Sequence, residues 1–177
     1  MHPHMGRLAL LLGVLLPLAA PAAALAGGHQ QAALPIRGLL ISGQSLGGIS
    51  LGDSPADVEA TWGSDYKVCT TCTQTTWYFV YPTKPVGAAV VFSKADEVVS
   101  VFTLGTPFGW RTEKGLPLGA EIHSLTELYP TPEMAYRACI GYSALSQRQG
   151  ATVTSIYTQA ESVYGFALTA PGRPVCL

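Results

Sequence analysis

The segment GQSLG, residues Gly43–Gly47, matches the G-x-S-x-G pattern of a serine nucleophile. That chemistry needs a strand that turns sharply into a helix, so that the serine oxygen stands beside backbone N–H donors. The residues after Ser45 are LGGIS, a glycine-rich run that does not predict a helix. A triad would also need His29, in a polar N-terminal stretch, or His123, on a predicted helix surface. We therefore expect no catalytic residues and no enzyme, with a small serine hydrolase using Ser45 as the remote alternative.

The cysteines could serve redox chemistry, zinc binding or disulfides. A redox Cys-x-x-Cys begins a helix, but Cys69 and Cys72 precede TQTTWYFVY, which is typical of a strand. A four-cysteine zinc site needs a second close pair, and Cys139 and Cys176 lie far apart. We expect two disulfides, Cys69 with Cys72 and Cys139 with Cys176, while the crossed pairings between the two halves stay open. No metal and no cofactor is expected.

The acidic residues do not form a recognisable catalytic pair. Asp53, Asp57 and Glu59 cluster at a predicted helix start, where the helix dipole favours negative charge. Asp96 and Glu161 fall in predicted hairpin turns. With 10 Lys plus Arg against 11 Asp plus Glu, the chain also has no basic cluster that could neutralise a row of phosphates. Nucleic acid is therefore excluded as a partner.

Aromatic residues alternate along one predicted strand. Successive side chains of a strand point to opposite faces, so one face carries three rings and Tyr78 lies on the other. Together with two rings from the segment GTPFGWRTEK, they predict a binding surface, because such amphipathic rings dominate interface hot spots. Packing of these rings in the core is the alternative. The candidate binding residues are Trp77, Phe79, Tyr81, Phe108 and Trp110.

Residues 1–26 have the pattern of a secretory signal peptide. A short basic start precedes the apolar run LALLLGVLLPLAAPAAALA, and Ala24 and Ala26 fit the small-residue cleavage site. A retained membrane anchor is the alternative, which Pro17 and Pro21 disfavour. We expect a secreted, periplasmic or cell-surface protein that is not inserted in the membrane after cleavage, where disulfides are permitted.

Two stretches of the chain resemble each other. GISLGDSPADVEATWG, residues Gly48–Gly63, is similar to GLPLGAEIHSLTELYP, residues Gly115–Pro130. Downstream, GAAVVFSKADEVVSVFTL aligns with ATVTSIYTQAESVYGFAL, with coinciding apolar and turn positions. This predicts a tandem repeat, with 27–47 a flexible lead-in, 48–104 the first repeat, 105–114 a bridge and 115–177 the second repeat.

Each predicted repeat is a helix followed by antiparallel strands. Ser54 and Asp57 form a capping box, Pro55 suits the first helical position and Gly63 the helix end. Short strands rich in β-branched and aromatic residues follow in both halves, joined by hairpin loops such as SKADE and TQAES. A second short helix is predicted from Thr131 through Arg137. The expected fold class is α+β, two tandem repeats of a short helix packed on a small antiparallel sheet.

The pattern G-I-x-L-G-x-S-x-x-x-V-x-x-x-W-G, the repeat and the exported cysteines together resemble the β-lactamase inhibitor protein-like and SmpA/OmlA-type domains. This resemblance implies a non-enzymatic domain that binds protein partners or supports the cell envelope. The motif is structural and carries no binding residues to transfer. We expect a secreted binding module for a protein or cell-envelope partner, with a structural envelope-maintenance protein as the alternative.

Overall fold

The structure is a computed structural model that describes residues 33–79, 87–130 and 134–176. The predicted signal peptide lies outside these residues. Within them the chain forms twelve strands and two helices. Their bounds are β1 Leu39–Ile41, β2 Ser45–Leu46, β3 Ile49–Ser50, α1 Pro55–Trp62, β4 Lys67–Val68, β5 Thr76–Tyr78, β6 Gly87–Phe92, β7 Val98–Leu104, β8 Arg111–Thr112, α2 Ile122–Leu128, β9 Ala135–Ala138, β10 Ser143–Gln149, β11 Thr152–Gln159 and β12 Ser162–Thr169.

An eight-stranded antiparallel sheet dominates the fold. Its order is β4-β5-β6-β7-β12-β11-β10-β9, so two meanders meet where β7 pairs with β12. The pairing runs from Gly165 opposite Leu104 to Thr169 opposite Ser100. At this junction a side chain on Gly165 would overlap the backbone carbonyl of Thr103. The two strands therefore approach closely only because residue 165 has no Cβ.

The predicted α+β class of two helix-on-sheet repeats is wrong. Direct pairing of β7 with β12 merges the strands of both halves into one continuous sheet, and a second sheet of four strands adds to it. The helices are short, at 8 and 7 residues. Period-two patterns correctly predict strands, but they do not say which strands become neighbours, so the protein is mainly β.

Helix α1 begins as the sequence predicts. The Ser54 hydroxyl accepts from the Asp57 backbone, the Asp57 carboxylate accepts from the Ser54 backbone, and Pro55 opens the first turn. The helix ends at Gly63, whose φ of 82° lies in the region that favours glycine. Both buried residues of α1, Val58 and Trp62, face the core. The second short helix, predicted from Thr131 through Arg137, is wrong over the residues that the structure describes. Residues 135–138 form strand β9 instead.

The four-stranded sheet has the order β3-β2-β1-β8. Strands β1 and β2 lie in the predicted flexible lead-in, β8 lies in the predicted bridge, and β3 lies at the start of the predicted first repeat. Strand β1 pairs in parallel with β8, and Leu40 and Leu46 are fully buried. The Trp110 ring fills the space beside Gly38 and Gly47, and its Nε1 donates to the Pro35 carbonyl at 2.8 Å. Tertiary packing around this ring orders the glycine-rich segment.

The main core lies between one face of the eight-stranded sheet and a second layer made of α1, α2 and the small sheet. Its fully buried side chains include Trp62, Phe92, Trp110 and Phe166. Within the described ranges, no helix is long and apolar enough to span a bilayer.

Both disulfides form as the sequence favours. Cys69 is bonded to Cys72 and Cys139 to Cys176. The second bond holds the C-terminal tail near β9 and β10. The Tyr157 hydroxyl adds a second attachment by donating to the Val175 carbonyl at 2.7 Å. The tail thereby lies over the face of the sheet opposite the helices.

Candidate ligand-binding site

The eight-stranded sheet has two unequal faces. The helices and the small sheet cover one face, and all the described buried helix residues belong to that core. The other face, here called the open face, carries a smaller cluster that includes Phe102, Leu104 and Tyr157. No described helix packs on it, so side chains of the open face can meet a ligand.

Most of the predicted ring surface lies on the covered face. Trp77 is 9% exposed and stacks on Tyr66 with ring centroids 3.8 Å apart. Phe79 lies edge-on to Trp62 at 5.1 Å, and Trp110 is fully buried. Trp77, Phe79 and Trp110, which the sequence predicts as a binding surface, pack in or against the main core. Helix α1 lies over the face of the sheet that carries Trp77 and Phe79. Tyr78 points to the other side of the strand and therefore lies on the open face.

The remaining predicted residues are not with these rings. Phe108 is 73% exposed and Ile36 is 82% exposed, and the backbone of Gly109, next to Phe108, packs on the Ile36 carbonyl. Tyr81 lies outside the described residues. The five candidates therefore do not form one surface.

The open face holds a cavity of about 610 Å³, here called the open-face cavity. Its floor is apolar, and residues from the strands, the β4–β5 turn and the C-terminal tail surround it. The lining residues are Cys72, Thr73, Gln74, Thr76, Tyr78, Gly87, Val91, Val99, Ser100, Phe102, Leu104, Ile140, Tyr142, Gln159, Tyr164, Thr169, Arg173, Pro174 and Cys176.

The floor is formed by neighbouring strands at the centre of the sheet. Val91 of β6 lies opposite Ser100, while Phe102 and Leu104 share the face of Ser100 on β7. The Ser100 and Thr169 hydroxyls are 3.2 Å apart and hydrogen-bond to each other. Since these buried hydroxyls satisfy each other, the floor can contact apolar groups without leaving them unpaired.

A β-bulge places Tyr164 at the cavity. Tyr157 pairs with Gly165 and Thr158 with Val163, so Tyr164 is the extra residue on β12. Bulges re-aim side chains in this way. The Tyr164 ring lies 6.2 Å from Tyr142, which in turn meets Tyr157 edge-on at 5.2 Å. Tyr142 and Tyr164 thus line the cavity as one aromatic wall, and the fully buried Tyr157 packs against Tyr142.

Tyr157 and Tyr164 remain uncharged at neutral pH. Burial raises the pKa of Tyr164, and the nearby Tyr142 raises it further. Burial also raises the pKa of Tyr157, with a smaller contribution from Tyr142. A phenol with a raised pKa stays protonated, so Tyr164 offers the cavity apolar area and a hydroxyl group rather than negative charge.

Disulfide-held segments form the two ends of the cavity. Cys72 and its neighbours in the β4–β5 turn line one end, and Cys176 with the tail lines the other. Beside the tail, the Gln159 side chain donates to the Gly141 carbonyl at 2.8 Å and holds the turn that carries Ile140 and Tyr142. These links keep the cavity walls in place without a ligand.

Arg173 is the charged residue of the cavity. Among the described residues that line it, no other side chain is ionised at neutral pH. Arg173 is half-buried, and the ion pair found in the described part of the chain joins His123 to Glu127 instead. A guanidinium stays protonated in proteins. The cavity therefore combines an apolar floor with one positive charge.

The serine chemistry considered from the sequence has no supporting geometry. Ser45 lies in β2, paired with Ile41 and Ser50 in consecutive hairpins, and the chain continues into β3 rather than a helix. His123 is on the surface of α2, 3.2 Å from Glu127. Across the described ranges, no three His, Cys, Asp or Glu side chains gather as a metal site.

The sequence pattern does not single out Phe102, Tyr142, Tyr164 or Arg173. Phe102 and Leu104 alternate on β7, which signals a second apolar face, but the pattern does not show that this face is uncovered. The bulge that exposes Tyr164 depends on pairing between β11 and β12. Arg173 reaches the cavity because the disulfide returns the tail to the sheet.

No protein family and no curated protein matches the chain. The solved structures with a similar backbone include the following three. An extracellular protein containing a SCP domain from Bacillus anthracis is 10% identical, with a TM-score of 0.49 over 68% of this chain and 44% of that one. A cysteine-rich secretory protein from Staphylococcus aureus is 14% identical, with a TM-score of 0.44 over 68% and 43%. A DUF4309 family protein from Bacillus subtilis is 14% identical, with a TM-score of 0.41 over 67% and 78%.

The chain spans less than half the length of the first two proteins. At these similarities the comparisons assign neither a family nor a function. None of the three is described as a β-lactamase inhibitor or an SmpA/OmlA-type protein, and neither this resemblance nor a tandem repeat gains support from them.

Proposed function

We propose that this chain is an exported, non-enzymatic binding protein that holds a small apolar molecule in the open-face cavity. The observation that carries the proposal is an apolar cavity on the face of the sheet that no described helix covers. At about 610 Å³, its volume falls in the range of sites for small molecules, roughly 300 to 1,000 Å³.

Preorganisation of the walls supports this function. The tail is attached by the Cys139–Cys176 bond and by the Tyr157 hydroxyl, and the Cys69–Cys72 bond closes the turn at the opposite end. A site that is already ordered pays less conformational entropy when it binds. Export is supported by the signal-peptide pattern of residues 1–26 and by the two disulfides, which form in oxidising compartments.

Binding of a neutral apolar dye such as N-phenyl-1-naphthylamine tests the proposal. We expect its fluorescence to rise when it binds the purified protein. Val91→Lys places a charge on the cavity floor and should weaken dye binding at least about tenfold, because the charge would need to be desolvated. Val68→Lys, at an exposed position of β4, is the matched control and should leave binding unchanged.

Circular dichroism establishes that both variants fold. Equal dye binding by the wild type and folded Val91→Lys would contradict the proposed site. Failure of the wild type to bind the dye would contradict the function.

A second candidate function is docking of a protein through the exposed pair Ile36 and Phe108. Arg37 and Arg111 lie beside this pair and are exposed, and the neighbouring stretches 33–41 and 105–112 contain no acidic residue. This combination favours a protein partner with an apolar pocket and an acidic rim.

Capture from culture fluid tests this second function. Phe108→Ala should lose a partner that the wild type retains, whereas Tyr136→Ala, another exposed ring, should retain it. Equal capture by wild type and Phe108→Ala would contradict docking at this pair.

A further inference from the structure

We infer that the open-face cavity takes a single-chain amphipathic carboxylate, with its carboxylate paired to Arg173 and its hydrocarbon chain on the floor around Phe102. This inference rests on the proposed function and names the ligand class of that site. It commits to a free monocarboxylate with one apolar chain.

The charge distribution of the cavity carries the inference. Arg173 is half-buried at the edge of an apolar cavity, and no described carboxylate pairs with it. A cation that is partly removed from water gains from an anionic partner. A guanidinium presents planar donors that match a carboxylate, and such charge-assisted hydrogen bonds are stronger than neutral ones.

The floor favours a hydrocarbon chain over a sugar or a peptide. Val91, Phe102 and Leu104 offer no hydrogen-bonding side-chain atoms. Three polar side chains of the lining are already engaged, since Ser100 bonds Thr169 and Gln159 bonds the Gly141 carbonyl. A ligand rich in hydroxyl or amide groups would lose hydrogen bonds to water on this floor, whereas a hydrocarbon chain would gain from burial.

The cationic groups of the described lining residues favour a ligand with one negative charge. No second cation is found among the described lining residues, and Tyr164 is a neutral hydroxyl group. A diphosphate or dicarboxylate would therefore bury a charge without a partner, which is costly.

Dodecanoate and dodecanol test the inference because they share a chain and differ in charge. By isothermal titration calorimetry at neutral pH below micelle formation, we expect the wild type to bind dodecanoate about tenfold more tightly than dodecanol, or about 1.4 kcal/mol. Arg173→Gln should remove this preference by weakening dodecanoate alone. Arg173→Lys should restore part of it, and Arg148→Gln, at an exposed arginine of β10 outside the cavity, should change neither ligand.

The outcomes distinguish a failure of the carboxylate assignment from a failure of the proposed function. Equal affinities of the wild type for the two ligands, or an unchanged preference in folded Arg173→Gln, would overturn the carboxylate assignment while the apolar site stands. If neither ligand binds and the neutral dye also fails, the proposed function itself is overturned. If Arg173→Gln does not fold, loss of the wild type's preference for dodecanoate in high salt supports the pairing, and a salt-independent preference overturns it.

Discussion

At the scale of single residues, Trp62 connects three parts of the molecule. It lies on α1, its Nε1 donates to the Gly47 carbonyl at 2.8 Å, and its ring meets Trp110 edge-on at 5.5 Å. The Phe79 ring also meets the Trp62 ring edge-on, with the ring centroids 5.1 Å apart. Because Trp62 is fully buried, the Gly47 carbonyl has no water to replace this donor.

Trp62→Phe should therefore destabilise the protein. Loss of the indole donor leaves a buried acceptor unpaired, and we expect the free energy of unfolding to fall by about 1 to 3 kcal/mol. Urea unfolding followed by circular dichroism measures this. Phe108→Leu is the control, since a change at an exposed ring should stay within about 0.5 kcal/mol. Equal urea midpoints for Trp62→Phe and the wild type would contradict this account of the bond.

Residue patterns predict Tyr78 on the face opposite Trp77, because alternation is a local property of a strand. They do not predict which face a helix covers. Trp110 illustrates the same limit: its neighbours Gly38, Gly47 and Trp62 come from distant parts of the chain. Its burial depends on contacts that no local pattern specifies.

At the scale of elements, the start of α1 was predictable because a capping box involves neighbouring residues. The Asp57 carboxylate accepts from the Ser54 hydroxyl at 2.6 Å and from its backbone N–H at 2.9 Å. These bonds favour the ionised carboxylate, so the Ser54 hydroxyl and then its backbone lower the pKa of Asp57 below its model-compound value of 3.8.

The lowered pKa of Asp57 predicts how the cap responds to pH. Its stabilisation is fully present above the unfolded-state pKa and is lost as pH falls through the lower folded-state pKa, because the unfolded chain takes up the proton first. Asp57→Asn should lower the urea midpoint at pH 7, and its difference from the wild type should shrink below about pH 4. Asp65→Asn, beyond the end of α1, is the control. A difference that grows as the pH falls would contradict the prediction.

The strands at the centre of the sheet were also predictable, whereas the small sheet was not. Apolar and β-branched runs mark β6, β7, β11 and β12. Strands β1 and β8 are 3 and 2 residues long and pair in parallel across a long loop. Elements this short carry little period-two signal, and their order comes from packing around Trp110.

At the scale of the whole molecule, the two disulfides constrain the unfolded chain to different extents. Cys139 and Cys176 are separated by 37 residues in sequence, and Cys69 and Cys72 by 3. In the chain-entropy description, a bond that closes a longer loop removes more freedom from the unfolded state.

Replacing each pair with alanines should therefore give unequal losses. We expect the free energy of unfolding to fall by about 4 kcal/mol without Cys139–Cys176 and by about 2 kcal/mol without Cys69–Cys72. Urea unfolding under non-reducing conditions compares the two variants directly. An equal or larger loss for the local pair would contradict the dominance of loop closure.

The candidate site illustrates what a sequence leaves undetermined about a whole molecule. The tail containing Arg173 lines one cavity with residues of β5, β6 and β7, and the Cys139–Cys176 bond holds the tail on this face of the sheet. The cysteine pairing was predictable from spacing and compartment. The cavity was not, because it depends on the side of the sheet on which the helices lie.

Gly165 has a consequence for how this protein can diverge. Residue 164 faces the cavity, so descendants of this chain can exchange its ring and alter the preferred ligand. Residue 165 touches the backbone of the other meander, and any side chain there would force β12 away from β7. We expect homologous sequences to vary freely at position 164 and to keep glycine at position 165. The preferred ligand would then change as the sequences diverge, while the pairing of β7 with β12 would be conserved.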